Sequence, residues 1–197
     1  MATEAPSRRR AIEEVASTLF HERGYSATSV RDIARALDIR GASLYAHVTS
    51  KEDVLWSLVD RAASAFEHAA DQAASATATR SPADRLSALV RAHVTAIAAD
   101  PQLASVFVSE WRHLSGERRS AILERRDNYE GRFRNVIAAG MATGEFTATD
   151  PALAATFILT ALNGLATWYR PEGRLTPSRV ADHYADLAVR TLTEDHR

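Results

Sequence analysis

Apolar positions recur along this chain at helical spacing. Ile12, Val15, Leu19 and Phe20 share one face of a helix predicted over 7–23 and stopped by Gly24. Val30, Ile33, Ala34 and Leu37 mark a short second helix capped by Thr28 or Ser29. A third, very short, is expected over about 41–47, where Leu44 and Val48, four apart, form an inner side. The fourth opens at Ser50, whose run Ser50-Lys51-Glu52-Asp53 has the form of a capping box, and Leu55, Leu58, Val59, Ala62 and Phe66 give it an inner stripe. Residues 71–81, DQAASATATRS, lose that period and are expected to form a loop.

Proline placement carries the pattern further. Ser81-Pro82, Asp100-Pro101, Asp150-Pro151 and Thr176-Pro177 each put a capping oxygen before a residue that has no N–H to lose, and so each marks a helix start. Helices are predicted over 82–99, 101–113, 117–143, 151–169 and 177–193. No alternating Val/Ile/Thr run makes a convincing strand. The expectation is an all-α fold of about nine helices, without internal repeats.

Helices two and three are joined only by Asp38-Ile39-Arg40 and follow a longer first helix, which describes a helix-turn-helix. The second short helix of such a unit enters the major groove, so its outer face must be low. Gly41, Ala42, Ser43 and Ala46 supply small residues there. Arg40 carries the fork suited to guanine O6 and N7, while Tyr45 and His47 offer polar atoms to phosphates.

Charge adds little to this. The net charge is -1, with a balance of +2 over residues 1–51 and -3 over the rest. The chain has no cysteine, which excludes disulfides and thiolate metal sites. No stretch approaches the roughly 20 apolar residues of a membrane span, and the N-terminus has no apolar signal core; a cytoplasmic protein is expected. The 24 Lys and Arg residues include a single lysine, Lys51.

Residues 12–59 resemble the N-terminal domain of the TetR family of transcriptional regulators. Phe20, Gly24, Tyr25, Thr28, Ile33, Ala34, Leu37, Leu44, Tyr45, His47, Lys51 and Leu55 carry the match; Val48 stands where the family usually has Phe. The resemblance implies a DNA-binding head over 1–52 and a helical effector-binding and dimerisation domain over 53–197. It implies DNA contact by Thr28, Ser29, Arg40, Gly41, Ala42, Ser43, Tyr45, His47 and Lys51. Lys51 would there meet a phosphate at the N-terminus of helix four; the alternative is a solvated lysine paired with Glu52 or Asp53. Arg8-Arg9-Arg10 reads either as an arm reaching DNA or as part of helix one.

The family further implies a homodimer, a double-stranded operator and a small effector. For dimerisation, 151–169 and 177–193 are the candidates: the first is apolar nearly all round, with Ala154, Ala155, Ala161, Gly164 and Ala166 permitting close approach. The alternative is that 151–169 is the monomer's central core helix. For a hydrophobic effector, Phe107, Trp111, Tyr129, Phe133, Phe157 and Trp168 are candidate walls, with Arg112, Asn128 and Asn163 as polar partners; the alternative for each aromatic is a place in the core. WYRPEGRLTPSRVADHYADL, 168–187, is similar to TetR-like repressors of steroid and fatty-acid catabolism, which implies an acyl-CoA or related hydrophobic acid. A hydrophobic drug is the competing effector.

Other classes fare worse. Glu110-Trp111-Arg112-His113 has the E-x-x-H spacing of di-iron bundles but lacks a second copy. No P-loop or dinucleotide turn is present, and the reading calls for no enzyme activity, cofactor or metal. A helical interaction protein without DNA binding is the remaining alternative.

Overall fold

The computed structural model describes residues 8–147 and 150–193. Among them are nine α-helices and no strand: α1 (Arg8–Arg23), α2 (Val30–Ala36), α3 (Gly41–Leu44), α4 (Lys51–Ala76), α5 (Pro82–Ala99), α6 (Pro101–Ser109), α7 (Gly116–Thr143), α8 (Pro151–Trp168) and α9 (Pro177–Thr193). A single 3₁₀ turn, Trp111–His113, follows α6. The described residues form two compact units, one reaching Ala62 and including Gln102–Ile122, the other comprising Ala63–Pro101 and the residues from Leu123 onward. The first unit therefore takes in more of the chain than an expected 1–52 head.

In the first unit, α1 buries Ile12, Ala16, Leu19 and Phe20, and α4 buries Leu55, Leu58 and Val59, as their spacing predicts. Gly24 ends α1 in the left-handed region (φ +81°), where a side chain would be strained, and its N–H donates to the Phe20 carbonyl at 2.9 Å. Ser29 is the cap of α2, with Asp32 closing a reciprocal box. Thr28 turns inward instead, and its buried hydroxyl donates to the carbonyls of Gly24 (2.9 Å) and Leu19 (3.3 Å). Arg8, Arg9 and Arg10 belong to α1; residues 1–7, where an arm would continue, lie outside the described residues.

Three boundaries differ from expectation. Helix α4 continues through residues 71–76, leaving only 77–81 as the connection. This Ala-rich stretch has helix propensity without needing an apolar stripe, and Arg132 anchors it through Asp71. The predicted 101–113 helix breaks after Ser109, and its last turn tightens into the 3₁₀ turn. The predicted 41–47 helix is regular only over Gly41–Leu44, with a turn through His47.

In the second unit, α5 packs on α9 and α8. Ser81 Oγ accepts from Asp84 N–H at 3.2 Å, and Asp150 Oδ1 accepts from the N–H groups of Ala152 and Leu153 at 2.8 and 3.2 Å, so these proline-marked starts are capped as the sequence indicates. Helix α8 is one-sided: Ala155, Ile158, Leu159, Leu162, Leu165 and Ala166 are buried, whereas Leu153, Phe157 and Trp168 are 69%, 60% and 48% exposed. Its 18 residues make it, among the described residues, long and apolar enough to cross a membrane by length and composition, a test that core helices also pass.

Candidate nucleic-acid interface

The third helix has two unlike sides. Leu44 (0% exposed) and Val48 (2%) hold it to the core of the first unit. Ala42, Ser43, Tyr45, Ala46 and His47 are all exposed, Tyr45 by 57%. A Cβ placed on Gly41 would meet nothing within 4 Å. The outward side is thus low at its start and carries its two polar rings near its end, as the spacing of small residues predicts.

The entry to α3 is set by the C-terminus of α2. Ile39 N–H bonds the Ala34 carbonyl (3.0 Å) and Asp38 N–H bonds that of Arg35 (3.1 Å), with Asp38 in the left-handed region at φ +52°. This is a Schellman-type stop with aspartate where glycine is usual. It delivers Arg40 as the exposed N-cap of α3.

Beside that turn lies a concave groove of about 390 Å³ lined by Arg31, Ala34, Arg35, Asp38, Ile39, Arg40 and Gly41. Three guanidinium groups border it against one carboxylate. Arg31 and Arg35 are absent from the expected DNA-contacting set, although their i, i+4 spacing on the polar side of α2 is legible in the sequence. Arg35 is braced by Asp32 at 3.1 Å. The Asp32 carboxyl in turn lies below its ordinary pKa, held there first by the Ser29 hydroxyl and then by the Ser29 N–H.

Lys51 has backbone partners that neither expectation includes. Its Nζ donates to the carbonyls of Tyr25 and Thr28, both at 2.8 Å, and lies 4.0 Å from the centre of the Tyr25 ring. Partial burial lowers the pKa of the ammonium. Neither neighbouring acid is its partner. Glu52 accepts from Ser115 N–H at 3.0 Å, and Asp53 meets Arg118 at 3.2 Å and Arg9 at 3.6 Å. Burial works to raise the Asp53 carboxyl, but the Thr49 N–H and the two arginines outweigh it and hold the group below its ordinary pKa.

Arg9 also has an internal role. It donates to the His47 carbonyl at 3.2 Å and to Ser57 Oγ at 2.6 Å, fixing the chain just after α3. The E-x-x-H pair is used structurally too: Glu110 accepts from Tyr25 N–H at 3.1 Å and lies 3.4 Å from His113 Nε2. Among the described residues no group of three or more His, Asp or Glu side chains is placed to hold a metal ion.

The expected effector residues are divided between the two units. Phe107, Trp111 and Arg112 fall in the first unit. Asn128, Phe157 and Trp168 are exposed on the second. Tyr129 and Asn163 lie beside a residue that the sequence pattern does not single out, and Phe133 packs on Tyr129. His93 of α5 is 3% exposed, with Nδ1 3.0 Å from the Tyr129 hydroxyl and its ring 4.8 Å from that of Phe66. A lone histidine on an apolar stripe gives no sequence signal by itself.

Comparison with known proteins is consistent along the whole chain. Residues 12–58 match a family model described as bacterial regulatory proteins, tetR family, and residues 79–192 match the tetracyclin repressor-like C-terminal domain. The HTH-type transcriptional repressor KstR2 of Rhodococcus jostii is 32% identical over 96% of this chain and 93% of its own. The structure of the ketosteroid transcriptional regulator KstR2 of Mycobacterium tuberculosis superposes with a TM-score of 0.83 at 30% identity, covering 98% of this chain and 99% of that one. A crystal structure of AibR in complex with isovaleryl coenzyme A and operator DNA gives a TM-score of 0.78 at 28% identity, covering 95% and 98%.

Proposed function

The chain belongs to the TetR family of bacterial regulatory proteins, and from that premise we propose that it is a cytoplasmic transcriptional repressor, released from a palindromic operator by a small acyl-CoA effector. The observation that carries the DNA-binding half is the two-sided α3, clamped by Leu44 and Val48 and bordered by the arginine groove. Arg40 reads guanine edges, Ser29, Ala42, Ser43, Tyr45 and His47 lie along the duplex, and Gly41 lets the backbone approach. Thr28 takes part through the carbonyl that it offers Lys51, since its hydroxyl is committed inside. An ammonium has three donors; Lys51 spends two on carbonyls, and the third serves a phosphate.

Dimerisation joins two such heads. Leu153, Phe157 and Trp168 of α8 and Leu187 of α9 are the exposed apolar residues that a second copy covers. The two recognition helices then meet successive major grooves, about 34 Å apart. Support for an acyl-CoA comes from the relative that holds isovaleryl coenzyme A and from the resemblance of 168–187 to catabolic repressors. Of the expected set, Tyr129, Phe133 and Asn163 are the residues that we assign to it. An effector releases DNA only by binding one conformation better than the other; we place the coupling in α4, whose residues are shared between the two units.

A mobility-shift titration tests this reading, using the DNA upstream of the protein's own coding region. Acyl-CoA thioesters should dissolve the complex while free coenzyme A leaves it intact. A complex that survives saturating thioester contradicts the effector assignment.

A further inference from the structure

The strongest unexplained group in the molecule is the imidazole of His93. Its Nε2 is buried with no hydrogen-bond partner, although buried polar atoms ordinarily have one. Around it stand Phe66 at 4.8 Å and Tyr129 at 5.7 Å between ring centres, with Phe133 a further 5.8 Å beyond Tyr129. Burial, aided by the charge of Arg126 and opposed by the Asn163 side chain, pushes its pKa down to about 3, so the ring is neutral at physiological pH. Asn163 is close enough to influence the ring but does not meet Nε2 in hydrogen-bond geometry. Burial also raises the pKa of the Tyr129 phenol, which keeps its proton. A neutral imidazole carries one N–H, and in the tautomer in which the Tyr129 phenol donates to Nδ1 that hydrogen lies on Nε2. In that tautomer Nε2 is an uncharged donor beside the Phe66 and Tyr129 rings and the Asn163 side chain, and it has no partner in hydrogen-bond geometry.

We propose that His93 Nε2–H is the donor that reads the acyl carbonyl oxygen of the effector, with Tyr129 as the positioning residue that fixes the ring tautomer. This rests on the acyl-CoA reading above and assigns it a residue. A neutral donor suits a thioester carbonyl, whereas a carboxylate in the same place would lose more solvation than a single neutral donor returns. Polar recognition of this kind discriminates because the protein group is left unsatisfied when the ligand lacks its partner.

Calorimetric titration of the full-length protein tests it, with acyl-CoA thioesters and their S-alkyl-CoA thioethers as matched pairs of short, medium and long chains. The thioethers keep the coenzyme and the chain but lack the carbonyl oxygen. Wild type should prefer the thioester by about tenfold, the equivalent of one buried hydrogen bond. His93→Phe should abolish that preference by weakening the thioester alone, and His93→Gln, which retains an N–H, should restore part of it. If His93→Phe does not fold, Tyr129→Phe is read instead and should narrow the preference by freeing the tautomer. Equal binding of the two ligands by wild type, or an undiminished preference in His93→Phe or its substitute, overturns the assignment while leaving the effector class standing. Failure of wild type to bind any thioester overturns both.

Discussion

Lys51 Nζ donates to the Tyr25 carbonyl at 2.8 Å while sitting 4.0 Å above the centre of the same residue's ring. Tyr25 also meets Phe20 edge-on at 5.2 Å and stacks on His113 at 5.0 Å. The first residue of α4 therefore ties down the turn between α1 and α2, and the 3₁₀ turn packs against the same ring. Lys51→Met keeps the stem but removes both charge-assisted bonds. It should destabilise the first unit by about 1.5–3 kcal/mol, read as a lower urea midpoint; an unchanged midpoint would mean that the lysine is dispensable to the fold.

Asp38 holds a left-handed conformation that costs a side-chain-bearing residue about 1–2 kcal/mol and glycine almost nothing. Asp38→Gly should raise stability by up to about 1 kcal/mol, the gain being reduced by glycine's freedom in the unfolded chain. Asp38→Val, with a branched Cβ, should lower it. Thermal melts of the two variants give the order, and a valine variant as stable as wild type would refute the backbone argument.

The pH dependence of stability follows from His93. Its pKa of about 3 lies below the 6.5 of an unfolded histidine, so the unfolded chain takes up the proton first as pH falls. The contribution is complete above pH 6.5 and is lost on the way down, at about 1.4 kcal/mol per pH unit for one proton. Between pH 7 and pH 5 the cost is about 2 kcal/mol by the same relation. Denaturation of wild type and His93→Gln across that range should show the slope only in wild type; parallel curves exclude His93 as its source.

The exposed stripe of α8 makes a separate commitment. Phe157 is 60% exposed, so Phe157→Glu leaves the protomer's core untouched. In the proposed two-fold interface a carboxylate at this position would face its own copy and lose water without a partner. Sedimentation velocity should show wild type as a dimer and the variant, at the same concentrations, as a folded monomer. A dimeric variant would place the interface elsewhere.

Much of the fold is legible because helices write themselves locally. Leu55, Leu58 and Val59 announce the inner side of α4, and four cap-proline pairs announce helix starts. Residues 71–76 escape a reading by period because a helix exposed to solvent needs no apolar stripe. On α3, Leu44 and Val48 give away which side faces inward, and hence where Tyr45 and His47 point. Lys51 is opaque, since its partners are backbone carbonyls 26 and 23 residues away and carry no side-chain signature. The same limit hides His93. Its meaning lies in Tyr129 and Asn163, which come from other helices, and no spacing within α5 reveals them.

The central claim is that the outward side of α3 and the arginine groove beside it meet duplex DNA. Fluorescence anisotropy of a labelled operator fragment across a salt series, for wild type, Arg40→Ala and Arg31→Ala, tests it most directly. Wild type should show a steep fall of log K with log salt. Arg31→Ala should weaken operator and random DNA alike and flatten the slope by about 1, whereas Arg40→Ala should cost about 1–3 kcal/mol on the operator and relax its sequence preference. Salt-insensitive binding, or two variants indistinguishable from wild type on both DNAs, would contradict the claim.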